Sequence, residues 1–241
     1  SKKISFERDE TARNQMISEM AAVKEEFKAK EEKIKDVLTA WQLLMLKIPN
    51  IPDASVPEGT SDEDNVEVRT WGEKRDIQNS KDHIALCEAH DLADFERGTK
   101  VSGFRGYFLK NEGALLEMAL WQYFNRKLVE KNFTPMIVPS LVSKNTLVGT
   151  GYLPGGEDDL YRTQDDEYLA GTGEVATMSY FSNEILDSKK LPIKCAAFSA
   201  CFRREAGSHS KDVKGLIRVH EFYKLEQVVL CEASHVESVT L

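Results

Sequence analysis

The sequence predicts an α+β fold, and three observations carry that prediction. Its segments follow one another as helix, strand, hairpin, helix and two long antiparallel strands, not as the β/α alternation that builds a parallel sheet. A long helix without Gly or Pro, from Phe6 to about Lys47, stands before them. A charged hairpin, Cys201 to Glu226, closes them.

Each element has its own signal. In the first helix Met16, Met20, Val23, Phe27, Ile34, Val37, Trp41 and Leu44 recur in steps of four and three, interrupted at Lys30. One helix cannot bury such a seam alone. The pattern fits a helix lying on a core, or half of an antiparallel coiled coil. Ile48 to Ser80 carries Pro49, Pro52, Pro57, Gly59 and the acidic run Ser61-Asp62-Glu63-Asp64, which make an extended, superficial linker. Asp82 to Ala89 reads as a short helix. Asn111 to Asn132 is a stronger one, with a broad apolar face that includes Leu115, Leu116, Met118, Leu120 and Phe124. A strand, Thr134 to Pro139, follows. Leu160 to Gly171 alternates on either side of Gln164-Asp165-Asp166, a hairpin signature. Gly173 to Asp187 reads as a helix, and Ile193 to Arg203 and Leu216 to Cys231 as strands.

Composition narrows the class of function. The 241 residues suffice for one sizeable domain with an appendage. No apolar run reaches membrane-spanning length and Ser1-Lys2-Lys3 does not open a signal peptide, so a cytoplasmic protein is expected. Cys87, Cys195, Cys201 and Cys231 form no Cys-x-x-Cys pair and read as free thiols. A net charge of −8 disfavours a protein that coats nucleic acid, yet a local basic surface can still read an RNA. No Gly-x-Gly-x-x-Gly or Walker-type loop is present, so neither a Rossmann nor a P-loop nucleotide site is supported.

The closing hairpin is the richest stretch. Arg203 and Glu205 leave its first arm two residues apart, which predicts that both face one side of the strand. Arg218, Glu221 and Glu226 lie on the returning arm. Inward arginines are poor core design, because buried charge is costly without a partner. They make sense if an anion is the partner, and the guanidinium suits phosphate. The bland alternatives are an Arg203–Glu205 salt bridge and an ion pair of Arg218 with Glu221 or Glu226. Thr172-Gly173-Glu174, just before a helix, is by itself no more than a candidate N-cap.

Phe202 to Gly207 and Gly215 to Glu226 together resemble motif 2 of the class II aminoacyl-tRNA synthetases, and among them the seryl-tRNA synthetases. Ile48–Pro52, Asp64–Glu67, Asp94–Glu96 and Lys100–Gly103 look like that family's connecting segments. Thr172-Gly173-Glu174 looks like its serine-binding loop, and Asn111 to Pro139 like its dimer-forming motif 1. The resemblance implies an antiparallel class II sheet flanked by helices. Residues 1–47 would be the second helix of a partial tRNA-binding coiled-coil arm, and 48–241 a partial catalytic core. Motif 3 and the first arm helix are not found, so the chain is expected to be truncated at both ends.

Family roles follow by position. Arg203 is the implied catalytic group, stabilising charge on the α-phosphate of ATP. Arg203, Arg204, Glu205, Arg218 and Val219 are the implied ATP-binding residues; Arg204 is expected to point away from its neighbours and is given no role of its own. Thr172, Gly173, Glu174 and Glu226 are implied to bind serine. Lys211 and Lys214, on a loop near the tRNA acceptor end, would meet phosphate or simply be solvated. Mg2+ would arrive with ATP and share a carboxylate such as Glu226. The implied reaction is ATP-dependent charging of tRNA(Ser), and of tRNA(Sec), by a homodimer. Two alternatives stay open: a paralogue that charges a non-tRNA acceptor, and a non-catalytic dimeric binding protein.

Overall fold

A computed structural model describes residues 8–206 and 214–234. The chain divides into two units, Ser1–Thr70 and Trp71–Leu241. In the first, helix α1 runs over Glu10–Met45, 36 residues, which is about 54 Å at the α-helical rise. Asp9 caps it, its carboxylate accepting from the Thr11 and Ala12 amides. No residue of α1 is buried, and the seam residues Val23, Phe27, Ile34, Val37, Trp41 and Leu44 all stand open.

The second unit begins with α2 (His83–Ala89), β1 (Ala93–Asp94), α3 (Phe95–Ser102) and β2 (Phe108–Leu109). Helix α4 (Asn111–Glu130) and strand β3 (Thr134–Ile137) follow, then β4 (Leu141–Val142) and α5 (Lys144–Gly149). The hairpin β5 (Tyr161–Arg162) and β6 (Tyr168–Leu169) leads to α6 (Gly173–Tyr180). Two ten-residue strands, β7 (Ile193–Phe202) and β8 (Glu221–Leu230), complete it.

The α+β class holds. The main sheet has the order β3-β7-β8, with β7 and β8 antiparallel; β3 runs parallel to β7. A second sheet has the order β4-β6-β5. Two apolar clusters hold the unit together. One gathers Val142, Leu147, Leu160, Tyr168, Ala170 and Val175. The other packs Leu128, Phe133 and Ala196 with Leu225 and Val229.

Several boundaries differ from those read in the sequence. Helix α6 ends at Tyr180, not near Asp187, because Asn183 takes a left-handed conformation (φ 61°) that an α-helix cannot continue through. Strand β8 starts at Glu221, not at Leu216. Gly215 turns with φ 84°, and the Leu216 amide donates to His83 Nε2 (3.2 Å), so this stretch is tied to α2 and not to the ladder. Strand β7 ends at Phe202, although the Arg203 amide still reaches the His220 carbonyl (2.9 Å). Helix α3, capped by Asp94, lies in a stretch that reads only as a connection.

Candidate active site

The site forms where a small-residue floor lets a loop approach two strands. The β7–β8 register sets Ala197 opposite Glu226, Ser199 opposite Lys224 and Cys201 opposite Phe222. Alternation therefore puts Phe222, Lys224 and Glu226 on the face that carries those three small residues. The loop Gly171–Glu174 crosses this face, held between Ala170 and Val175 of the apolar core. The floor must be small because the loop comes so close. A Cβ on Gly173 would stand 3.0 Å from Ser199 Oγ, and one on Gly171 would stand 3.3 Å from Arg203 Cγ.

Thr172 is 2% exposed and begins α6, yet its hydroxyl makes no capping bond. It donates instead to Glu226 Oε2 (2.7 Å), 54 residues away. Lys224 joins the pair: its Nζ donates to Thr172 Oγ1 (2.9 Å) and lies 2.6 Å from Glu226 Oε2. Burial opposes ionisation of Glu226. Hydrogen bonds from Lys224 and Thr172, with the charges of Lys224 and Arg203, outweigh it and hold the carboxyl below the ordinary range.

Arg203 lies on the same side of the sheet. Its guanidinium sits over the Phe222 ring (5.4 Å to the centroid), and its Nε donates to the Gly171 carbonyl (3.3 Å). Glu174 is exposed in the first turn of α6, where the helix dipole favours a carboxylate. Tyr152 packs against the core beneath this region. Burial, followed by the charges of Glu174 and Glu226, pushes its phenol up, while Arg203 opposes the rise.

Glu205 departs from the sequence reading. It does not continue the strand alternation with Arg203, because its backbone is left-handed (φ 56°). It pairs with Arg218 (2.6 Å) and lies 3.8 Å from Arg105, a nearly buried guanidinium. The ion pair considered for Arg218 is thus real, but its partner is Glu205 and not Glu221 or Glu226. Neither is there an Arg203–Glu205 bridge among the described residues. Asp159 fixes the backbone here: its carbonyl accepts from the Arg204 amide (3.0 Å) and its carboxylate from the Ala206 amide (3.0 Å). Arg204 is exposed, Val219 is buried, and Lys214 is exposed. Lys211 lies outside the described residues.

Glu226 Oε2 is engaged by an ammonium and a hydroxyl, so only Oε1 of this carboxylate would remain for a Mg2+ ion arriving with ATP. Lys224, Phe222, Asp159 and Tyr152 escaped the sequence reading. The first two had a signal: they precede Glu226 at spacings of two and four on the same strand face.

A family profile described as "tRNA synthetase class II core domain (G, H, P, S and T)" matches residues 159–240. The serine–tRNA ligase of Deinococcus radiodurans is 43% identical over 226 residues, covering 93% of this chain and 53% of that protein. That of Myxococcus xanthus is 43% identical over 223 residues, 91% and 52% of the two chains. Among solved structures, the Pyrococcus horikoshii seryl-tRNA synthetase complexed with ATP superposes with a TM-score of 0.85 at 33% identity, over 93% of this chain and 55% of that one. The cytoplasmic serine–tRNA ligase of Naegleria fowleri in complex with AMP gives 0.77 at 31% identity, over 84% and 48%. The chain spans about half the length of the curated relatives it matches.

Proposed function

We propose, for a chain that belongs with the seryl-tRNA synthetases in sequence and fold, that the whole protein is an ATP-dependent serine–tRNA ligase. The observation that carries the reading is the cluster of Thr172, Lys224 and Glu226 beside Arg203 on one sheet face. A hydroxyl acceptor and a phosphate-binding guanidinium thus lie within one site.

The reaction has two displacements. A serine carboxylate oxygen attacks the α-phosphorus of ATP, the bond to the β-phosphate oxygen breaks, and pyrophosphate leaves. A ribose hydroxyl at the tRNA 3′ end then attacks the seryl carbonyl and AMP leaves. Arg203, held by Gly171 and Phe222, meets the charge that builds on the α-phosphate. Thr172 and Glu226 receive the serine side chain, and Glu174 its ammonium. A hydroxyl-bonding pocket rejects the analogue lacking the hydroxyl, because its buried groups are then left unpaired. Glu205 and Arg218 stand ready for the nucleotide, the first toward the adenine amino group and the second toward phosphate. Val219 contributes backbone contact, and Arg204 flanks the site. The complexes of related enzymes with ATP and AMP support this assignment of the cofactor. Mg2+ would arrive with ATP, held largely by its phosphates.

Around this site the proposal keeps residues 1–47 as half of a coiled-coil arm for tRNA(Ser) and tRNA(Sec), and 48–241 as catalytic core. Lys211 and Lys214 are assigned to the acceptor end of the tRNA by their place in the sequence. The protein works as a homodimer in the cytoplasm; among the described residues no helix is long and apolar enough to cross a membrane. Amino-acid-dependent exchange of pyrophosphate into ATP by the full-length protein tests the reading. Serine alone among the twenty amino acids should support it. Exchange driven equally by another amino acid, or by none, overturns the proposal.

A further inference from the structure

We propose that Lys224 is a specificity-determining residue of the amino-acid pocket, acting as the hydrogen-bond donor that reads the substrate hydroxyl. The inference rests on the serine-activating reading above and extends it to a residue that reading does not require.

The geometry is the starting point. Lys224 Nζ touches both halves of the Thr172–Glu226 pair, at 2.9 Å and 2.6 Å. An ammonium has three donors and no acceptor. Two are directed to Thr172 and Glu226, and among the described residues the third has no protein acceptor. Thr172 gives its single proton to Glu226 Oε2, and both contacts to that carboxylate end on Oε2, which leaves Oε1 to accept. The cluster therefore presents one donor and one acceptor side by side. A hydroxyl is the small group that needs both at once, since it donates one proton and accepts through its lone pairs. A methyl group satisfies neither.

Charge points the same way. Lys224 neutralises Glu226, so that carboxylate is a weak attractor for a substrate ammonium. Glu174, exposed at the start of α6 with no cation paired with it among the described residues, is left to take the ammonium. Lys224 thereby separates two polar groups of one small substrate, sending the charged one to Glu174 and the neutral one to Glu226. The strand holds the side chain where this role needs it, opposite buried Ser199 in the ladder and only 31% exposed.

The test compares serine- and alanine-dependent pyrophosphate exchange by the full-length protein as wild type, Lys224→Met and Lys224→Gln. ATP-induced thermal stabilisation reports whether each variant is folded. Wild type should favour serine by about 10⁴ or more, as sites built around a substrate hydroxyl do. Lys224→Met should lose about 10²-fold or more in kcat/KM for serine and less than about tenfold for alanine, so discrimination collapses. Lys224→Gln keeps N–H donors without the charge, and should retain most of the discrimination at reduced kcat/KM. Unchanged discrimination in folded Lys224→Met, whether the two rates fall in parallel or not at all, would make Lys224 a structural strut and overturn the proposal, as would discrimination that collapses in folded Lys224→Gln. Should Lys224→Met fail to respond to ATP, Lys224→Leu, which also removes the donor, decides in its place: a collapsed serine-to-alanine ratio upholds the role, and a retained one rejects it. Wild-type protein with no serine-dependent exchange would instead bring down the underlying reading, a distinct result.

Discussion

Single residues in this site are set by partners far away in sequence. Arg203 shows the consequence: its guanidinium is fixed from below by Phe222 and from the side by Gly171, so it is oriented before any ligand arrives. A preorganised donor of this kind contributes about 10²–10³ in rate. Arg203→Ala should therefore slow single-turnover adenylate formation by that factor or more, and Arg203→Lys should not restore it, because a point charge lacks the planar fork. A rate within a few-fold of wild type for Arg203→Ala would make the residue structural. Glu226 supports a second prediction, in stability. Its folded carboxyl titrates below its unfolded counterpart, so its stabilisation is in place above the unfolded value, about 4.3, and is lost as pH falls through the lower folded one. Urea midpoints for wild type and Glu226→Gln should thus differ near about pH 7 and draw together as the pH falls below about 4.3. A gap that persists undiminished in acid would assign the difference to packing and not to ionisation.

Elements show which parts of the fold the sequence reveals. The long strands and the β5–β6 hairpin were legible because alternation and turn residues are local signals. Their ends were not. Leu216 leaves the ladder for His83, 133 residues earlier, and no local pattern encodes that bond. Glu205 looked like a strand residue because only its spacing from Arg203 is visible in sequence; the left-handed backbone follows from the grip of Asp159 on its two neighbours. The motif marked Thr172 and Glu226, which the fold brings into contact, whereas the contact of Lys224 with both is visible only in the structure. The β7–β8 register explains the glycine between Thr172 and Glu174. Gly173→Ala would drive its Cβ to 3.0 Å from Ser199 Oγ and 3.4 Å from the Ala197 carbonyl, and should cost about 1–3 kcal/mol. Ser199→Ala removes the nearer obstacle. The double variant should recover part of the loss, giving a coupling of about 0.5 kcal/mol or more in urea denaturation. Strict additivity would show that the loop does not rest on this strand as described.

At the scale of the whole molecule the unsolved feature is a wide apolar surface. Leu115, Leu116, Met118 and Phe124 of α4 are half or more exposed, and Ile137 of β3 is 89% exposed. A monomer seldom leaves so many large apolar side chains on adjoining elements in water, since each buried apolar Å² is worth about 25 cal/mol. The face is ordered from beneath: Trp121 packs edge-on against Phe198 of β7, and α4 rests on the Leu128–Phe133–Ala196 cluster. It is therefore a rigid surface, suited to self-association without ordering cost. The proposed homodimer would bury it, with Ile137 and Leu116 well placed as anchors. Full-length protein should sediment as a dimer at micromolar concentration. Ile137→Asp and Leu116→Asp each place a charge against apolar groups, and each should raise the dissociation constant by about 30-fold or more, equivalent to about 2 kcal/mol. Both side chains are open in the single chain, so neither change should unfold it; circular dichroism checks that separately. The control is Val101→Asp, an exposed apolar position on α3, outside α4 and β3, which should leave sedimentation unchanged. A wild-type monomer, or a dimer that tolerates both aspartates as readily as the control, would move the interface elsewhere.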